Sequence, residues 1–242
     1  APLVRPPIIA SHFHGESGLG TLPVFEPDTP VAPGVAAQAI IDIVMSRPAG
    51  SVTIAVTGPM TNLAMALQRE PALAERLGPV VVMGGARREG GNITASAEYN
   101  IHADPHAADV VFGSGCCIVT LGLDATHQVR ATPARVEAIR AIDTVAARSV
   151  ATLLDFSVDV ERRLVGGDSP PLHDPCTIAW LLAPELFTAA PVDLRVETLS
   201  PLTLGHTAVE FRLPAGFTPT VRWVTEVDHE AVFALMLERL AR

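Results

Sequence analysis

Four consecutive apolar residues, Val80 to Met83, stop at the pair Gly84-Gly85. A continuous apolar run bounded by glycine predicts a strand buried on both faces, as in a parallel sheet. The pattern recurs at residues 52–56, which end in Thr57-Gly58-Pro59, and at residues 116–121, which end in Gly122 and Asp124. Between these runs the apolar positions fall at helical spacing, over residues 34–45, 59–66, 71–77 and 104–112. In the last of these Asp104 reads as N-cap and Pro105 as the first helical residue. Further helices are predicted at residues 133–142 and 143–164, and one opened by His173-Asp174-Pro175 runs through Ala183. The tail changes character. Residues 192–199, 207–213 and 221–227 alternate apolar with polar, as half-exposed strands do, and residues 228–240 close the chain as a helix. Residues 1–33 are proline-rich and loop-like, apart from a short strand predicted at residues 8–10.

Alternating strands and helices predict one α/β domain over residues 1–242: a doubly wound, mostly parallel sheet with a short β-rich C-terminal part. In such open sheets ligands bind in the crevice beyond the carboxyl ends of the strands. Met83 and the loop after it would lie there. That loop carries Asn92, Glu98 and Asn100, side chains that suit a polyhydroxylated ligand. If residues 98–100 are extended, the period of two sets Glu98 and Asn100 on one side and Tyr99 on the other. The same residues also fit a turn that satisfies its own backbone.

Composition narrows the classes. Of 242 residues, 48% are hydrophobic and 18% charged, with mean hydropathy +0.34, so the chain can bury a sizeable core and is not disordered. The net charge is −9, and arginine pairs such as Arg87-Arg88 and Arg162-Arg163 stand isolated, which argues against a nucleic-acid partner. All 17 basic residues are arginine, a bias of composition rather than of function. Cys116, Cys117 and Cys176 show no Cys-x-x-Cys spacing, so reduced, buried thiols of a cytoplasmic protein are expected, without a disulfide framework or zinc. No apolar run approaches the ~20 residues of a transmembrane helix. The opening residues lack a charged segment followed by an apolar one, so no signal peptide and no membrane association are expected.

Three further stretches carry candidate chemistry: HFHGESGLG at 12–20, TGPMTNLA at 57–64 and LHDP at 172–175. Each alone has a plain structural account. Asp174 fits a helix N-cap, His14 a loop, and Gly58-Pro59 a helix opening. Taken in order with VVVMGGA, GGNITASAEYN, the ADP after it and the late VDLRVET and LTLGHT blocks, they resemble the inosine–uridine-preferring nucleoside hydrolases. The resemblance spans nearly the whole chain. It implies a calcium-dependent hydrolase that cleaves the N-glycosidic bond of ribonucleosides to ribose and free base.

Residue by residue, the resemblance implies that Asp174 and the Thr57 carbonyl bind Ca²⁺, a hard ion taking ~6–8 oxygen ligands. It implies that Asn92, Glu98 and Asn100 hold the ribose hydroxyls while Met83 packs on the sugar. His173 would protonate the departing base, and His14 would lie near the base. The preference between purine and pyrimidine stays open. A homodimer or homotetramer is implied as well.

One block of the family pattern is missing. Its aspartate-rich run, Asp-x-Asp-x-x-x-Asp-Asp at the end of a first strand, matches nothing here. That run would supply the general base and most of the calcium carboxylates. A missing N-terminal segment of two βα units at ~30 residues each is therefore expected, and this chain alone is expected to be inactive. The second reading is a degenerate family member that binds a ribosyl ligand, or serves as a structural subunit, without catalysis.

Overall fold

The computed structural model describes residues 1–242. Along the chain lie α1 (Ser11–His14), α2 (Ala36–Met45), β1 (Ile54–Val56), α3 (Thr61–Arg69), α4 (Leu73–Arg76) and β2 (Val80–Met83). Next come α5 (Tyr99–Ala103), α6 (Pro105–Phe112), β3 (Ile118–Leu121), α7 (Leu123–Thr126), α8 (Pro133–Arg140) and α9 (Val145–Val165). The chain ends with α10 (Pro175–Leu182), β4 (Phe187–Val196), β5 (Thr207–Glu210), β6 (Val221–Val227) and α11 (His229–Leu240). The strand expected at residues 8–10 does not form. The chain enters α1 there instead, and its turn packs on α9.

The strands make one sheet in the order β1-β2-β3-β6-β4-β5. Pairs β1–β2, β2–β3 and β3–β6 are parallel, while β4 runs antiparallel to both β6 and β5. The half-exposed tail strands thus continue the parallel sheet rather than forming a separate layer.

The apolar runs are continuous because both faces of the sheet are covered. Val80, Val82, Ile118, Val221 and Trp223 point into one core, against residues of α2, α3 and α6. Val81, Val119, Leu121 and Val224 point into the other, against α8, α9, α10 and α11. The strand period of two sorts neighbours to opposite sides, so no position on β2 can be polar. All four of its residues are buried.

The helix ends follow their caps. Asp104 accepts from the Ala107 amide at 3.1 Å and Pro105 opens α6. Thr144 accepts from the Ala147 amide at 3.1 Å to start α9, which ends at Gly166 with φ +75°. A left-handed residue is the usual way to stop a helix, and only glycine adopts it without strain.

Two C-terminal residues shape the loops at the carboxyl edge. Trp223 is 1% exposed, and its ring lies where a Cβ on Gly122 would come within 2.4 Å and one on Gly85 within 3.3 Å. The Thr207 hydroxyl accepts from the Ala86 amide at 3.0 Å and lies 2.8 Å from the Ala86 carbonyl. The turns after β2 and β3 are therefore moulded against β5 and β6.

Candidate active site

The register sets Val56 level with Val82, so Thr57 stands level with Met83 at the carboxyl edge of adjacent strands. Beyond that edge β2 turns through Gly84 and Gly85 into a loop that returns as α5. Glu98 is the pivot of the loop. It is 2% exposed, yet one carboxylate oxygen accepts from the Asn100 amide at 2.9 Å, and the other from Gly85 at 3.1 Å and Ile101 at 3.2 Å. Burial pushes its carboxyl up to about 7, against the lowering effect of the three amides, and the charge of Asp174 adds to the rise.

Residues 98–100 are therefore not extended. Glu98 is the N-cap of α5, itself at φ −78° and ψ 149°, and Asn100 lies inside the helix. The physical reason is the carboxylate itself, which captures the free amides of the first turn. Glu98 and Asn100 still meet. Asn100 donates its amide to the Met83 carbonyl at 3.1 Å, with the Met83 sulfur at 3.4 Å. Asn92 joins from the loop by accepting the Tyr99 amide at 2.8 Å. Gly91 beside it has no room for a side chain: a Cβ would lie 2.2 Å from the carbonyls of both Thr94 and Ala97.

The second wall comes from the start of α10. Asp174 occupies the N-cap position but with helical dihedrals, and its side chain makes no capping hydrogen bond. The cap account therefore does not explain this residue. Its carboxylate stands at the solvent-facing rim, and the protein packed behind it strips enough water to push its carboxyl up to about 6. The Thr57 carbonyl likewise accepts no backbone hydrogen bond.

His173, next to Asp174, is held from two sides. Its Nδ1 lies 2.8 Å from the Thr126 hydroxyl, and its ring centroid is 5.8 Å from that of His127. Burial, then the nearby His127, His14 and Arg130, push its imidazole down to about 3. His14 thus lies within electrostatic reach of His173, at the end of α1, which packs against α9, and in the loop that follows a Cβ on Gly20 would meet the Phe156 ring at 2.7 Å.

Thr126, His127, Asp124 and Glu89 do not figure among the residues expected from the sequence. His127 Nδ1 lies 2.8 Å from the Glu89 carboxylate, and Asp124 accepts from the Arg87 and Arg88 amides at 2.8 Å each. Asp124, Thr126 and His127 follow the buried strand β3 directly, while Glu89 comes from the loop after β2. The rule that singles out the loop after β2 applies equally to the residues after β3.

An unpartnered carboxylate and an unpartnered carbonyl have the hard oxygen character that suits Ca²⁺. They are two donors where the ion takes ~6–8, and no three His, Cys, Asp or Glu side chains gather into a metal site. The residues of this chain do not by themselves make a calcium site.

The model of a family described as inosine-uridine preferring nucleoside hydrolase matches residues 1–234. The chain is 41% identical over 240 residues to the pyrimidine-specific ribonucleoside hydrolase RihA of Salmonella enteritidis, covering 99% of this chain and 76% of that protein. Among solved structures, a plant nucleoside hydrolase superposes with a TM-score of 0.88 at 33% identity, covering 97% of this chain and 75% of the other. A purine-preferring ribonucleoside hydrolase from Gardnerella vaginalis superposes with a TM-score of 0.88 at 30% identity, over 96% of this chain and 73% of the other.

Proposed function

Because the chain belongs to the inosine-uridine preferring nucleoside hydrolase family, and so to the ribonucleoside-cleaving enzymes, we propose that it hydrolyses pyrimidine ribonucleosides at the crevice beyond β1, β2 and β3. The observation that carries this reading is the cluster of Glu98, Asn100 and Met83, locked together at the carboxyl edge of β2. In the net reaction water adds OH to C1′ of ribose. The C1′–N bond breaks with its electron pair going to the base, and the base gains a hydrogen.

Glu98, Asn100 and Asn92 are assigned to the ribose hydroxyls, and Met83 to the apolar side of the sugar. As the bond breaks the ribosyl ring gains oxocarbenium character, which carboxylate and amide oxygens stabilise. His173 is assigned to the departing base, with His14 beside it. Nδ1 of His173 is occupied by Thr126, so Nε2 is the edge available to the leaving group. Through it the neutral ring gives a hydrogen bond and the protonated ring a proton.

Two observations favour a pyrimidine over a purine. The relative at 41% identity is the pyrimidine-specific enzyme. The rings beside His173 are imidazoles, while the single tyrosine, Tyr99, spends its hydroxyl on the Ile8 carbonyl at 3.2 Å. No aromatic sandwich for a purine is evident from these partners.

Calcium is the proposed cofactor, with Asp174 and the Thr57 carbonyl as two of its ligands, and no catalytic step is routed through it. Cys116 and Cys176 are buried, but Cys117, against expectation, is exposed; three unpaired cysteines suit a reducing cytoplasm, and no helix is long and apolar enough to cross a membrane. A homodimer or homotetramer completes the proposal, to be checked by sedimentation. The activity test is release of reducing sugar from uridine, cytidine and inosine, with and without added Ca²⁺. Release is expected only where the aspartate-rich run of the family pattern is supplied, fused or as a separate segment, and then faster from uridine than from inosine. Ribose binding without turnover of any nucleoside would leave a ribosyl-binding protein instead.

A further inference from the structure

Thr126 is wholly buried at the last position of α7, and its hydroxyl has one hydrogen-bond partner, Nδ1 of His173 at 2.8 Å. The opposite ring nitrogen, Nε2, has no partner in the protein and is not sealed from solvent. We propose that Thr126 is a positioning residue, whose hydroxyl donates to Nδ1 of His173 and so confines the hydrogen of the neutral ring to Nε2.

The argument is one of hydrogen accounting. A neutral imidazole carries one N–H and one bare nitrogen, and which is which depends on the hydrogen bond at either edge. The Thr126 hydroxyl has one hydrogen of its own and, being buried, no water to receive it. If Nδ1 carried the ring hydrogen, the hydroxyl would accept it and leave its own hydrogen without an acceptor. A buried donor left unmade is costly enough to weight the two tautomers roughly tenfold or more. With the hydroxyl donating, every hydrogen at the contact is placed. His127, 5.8 Å away and held by Glu89 at 2.8 Å, backs the His173 ring and limits its swing.

The role in turnover rests on the reading of His173 as the group facing the leaving base. In the Nε2–H form the ring presents a hydrogen to a nitrogen or oxygen that is gaining electrons. In the other tautomer it would present a lone pair and oppose departure. The tautomer itself can be read without any substrate.

The test is ¹⁵N NMR of the histidine rings in the full chain, with the His173 signals identified by their loss in His173→Asn. Wild type is expected to show a protonated Nε2 and a bare Nδ1. Thr126→Ser should keep that pattern, and Thr126→Val should mix the tautomers. In turnover, Thr126→Val should lower kcat on uridine about 10–100-fold while changing KM less than about threefold. The loss should be much smaller on p-nitrophenyl riboside, and Thr126→Ser should recover most of it. A wild-type ring with its hydrogen on Nδ1 would overturn the proposal, and so would a valine variant with unchanged tautomer and kcat. Should no nucleoside be cleaved at all, the reading of the function falls, while the ring spectra of wild type and the serine variant still decide the role of Thr126.

Discussion

The side-chain amide of Asn100 donates to the carbonyl of Met83 at 3.1 Å, joining the second residue of α5 to the last residue of β2. The bond uses one end of the amide and leaves Oδ1 without a partner in the protein. Asn100→Ala is expected to lower kcat/KM on uridine about 10²–10⁴-fold, the range for losing a group that stabilises developing charge. Denaturant melts should also show about 1–3 kcal/mol of lost stability, because the Met83 carbonyl stays buried without its donor. Wild-type kinetics in this variant would remove the loop from the site.

Glu98 makes the fold pH-dependent. Its folded-state carboxyl lies at about 7, above the ordinary 4.5, so between these values the folded chain holds a proton that the unfolded chain has lost. The stabilisation is therefore complete below about 4.5 and disappears as pH rises through about 7, by roughly 3 kcal/mol at ~1.4 kcal/mol per unit. Urea melts at pH 5 and pH 8 should show this loss in wild type. In Glu98→Gln the difference between the two pH values should shrink. Equal slopes in the two proteins would mean that the carboxyl titrates normally.

His173→Ala is expected to slow uridine hydrolysis about 10²–10⁴-fold, the usual contribution of a group that assists a leaving atom. p-Nitrophenyl riboside, whose leaving group needs no such help, should lose far less. Equal losses on the two substrates would give His173 another task, most simply that of holding Asp174.

Gly91→Ala tests the loop without touching a functional side chain. The new methyl would meet two carbonyl oxygens at 2.2 Å, so backbone must move, and with it Asn92 and the approach to Glu98. A loss of at least tenfold in kcat/KM is expected, chiefly through KM, because a displaced loop weakens ribose binding. A crystal structure or kinetics indistinguishable from wild type would show that the loop yields freely.

Several parts of this architecture could be read from residues alone. The buried strands announce themselves because a covered sheet leaves no polar position on β2 and only Thr120 on β3, whose hydroxyl is satisfied by the Gly84 carbonyl, and glycines mark where the chain must turn beside Trp223. Asp104 and Pro105 likewise gave the start of α6. Of the two readings of residues 98–100, the extended one fails beyond Glu98, because only the N-cap residue is itself extended, and the turn that satisfies its own backbone is the nearer. The five residues of α5 are also too few for periodicity to register, and such a turn is held by its surroundings. Thr126 and His127 escaped for a similar reason. They lie in and just after a four-residue helix, and their chemistry appears only when α10 brings His173 against them, 47 positions later in the chain. Asp174 shows the converse. Its sequence context fits a cap, and only the missing capping bond frees its carboxylate for another use.

Trp223 and Thr207 give the crevice a place in time as well as in space. Residues 14–174 already contain every side chain assigned to the sugar, the base and the ion, yet the turns that aim them are cast against strands made last. While the ribosome is still short of β6, β3 has no partner on its far side, and Gly85 and Gly122 face a void where the indole will sit. Contacts this distant in sequence form late and slowly. On the site assignment proposed above, the nascent chain would carry those groups unassembled until its C-terminal strands insert, and competence to bind a nucleoside would arrive as a single late event rather than strand by strand.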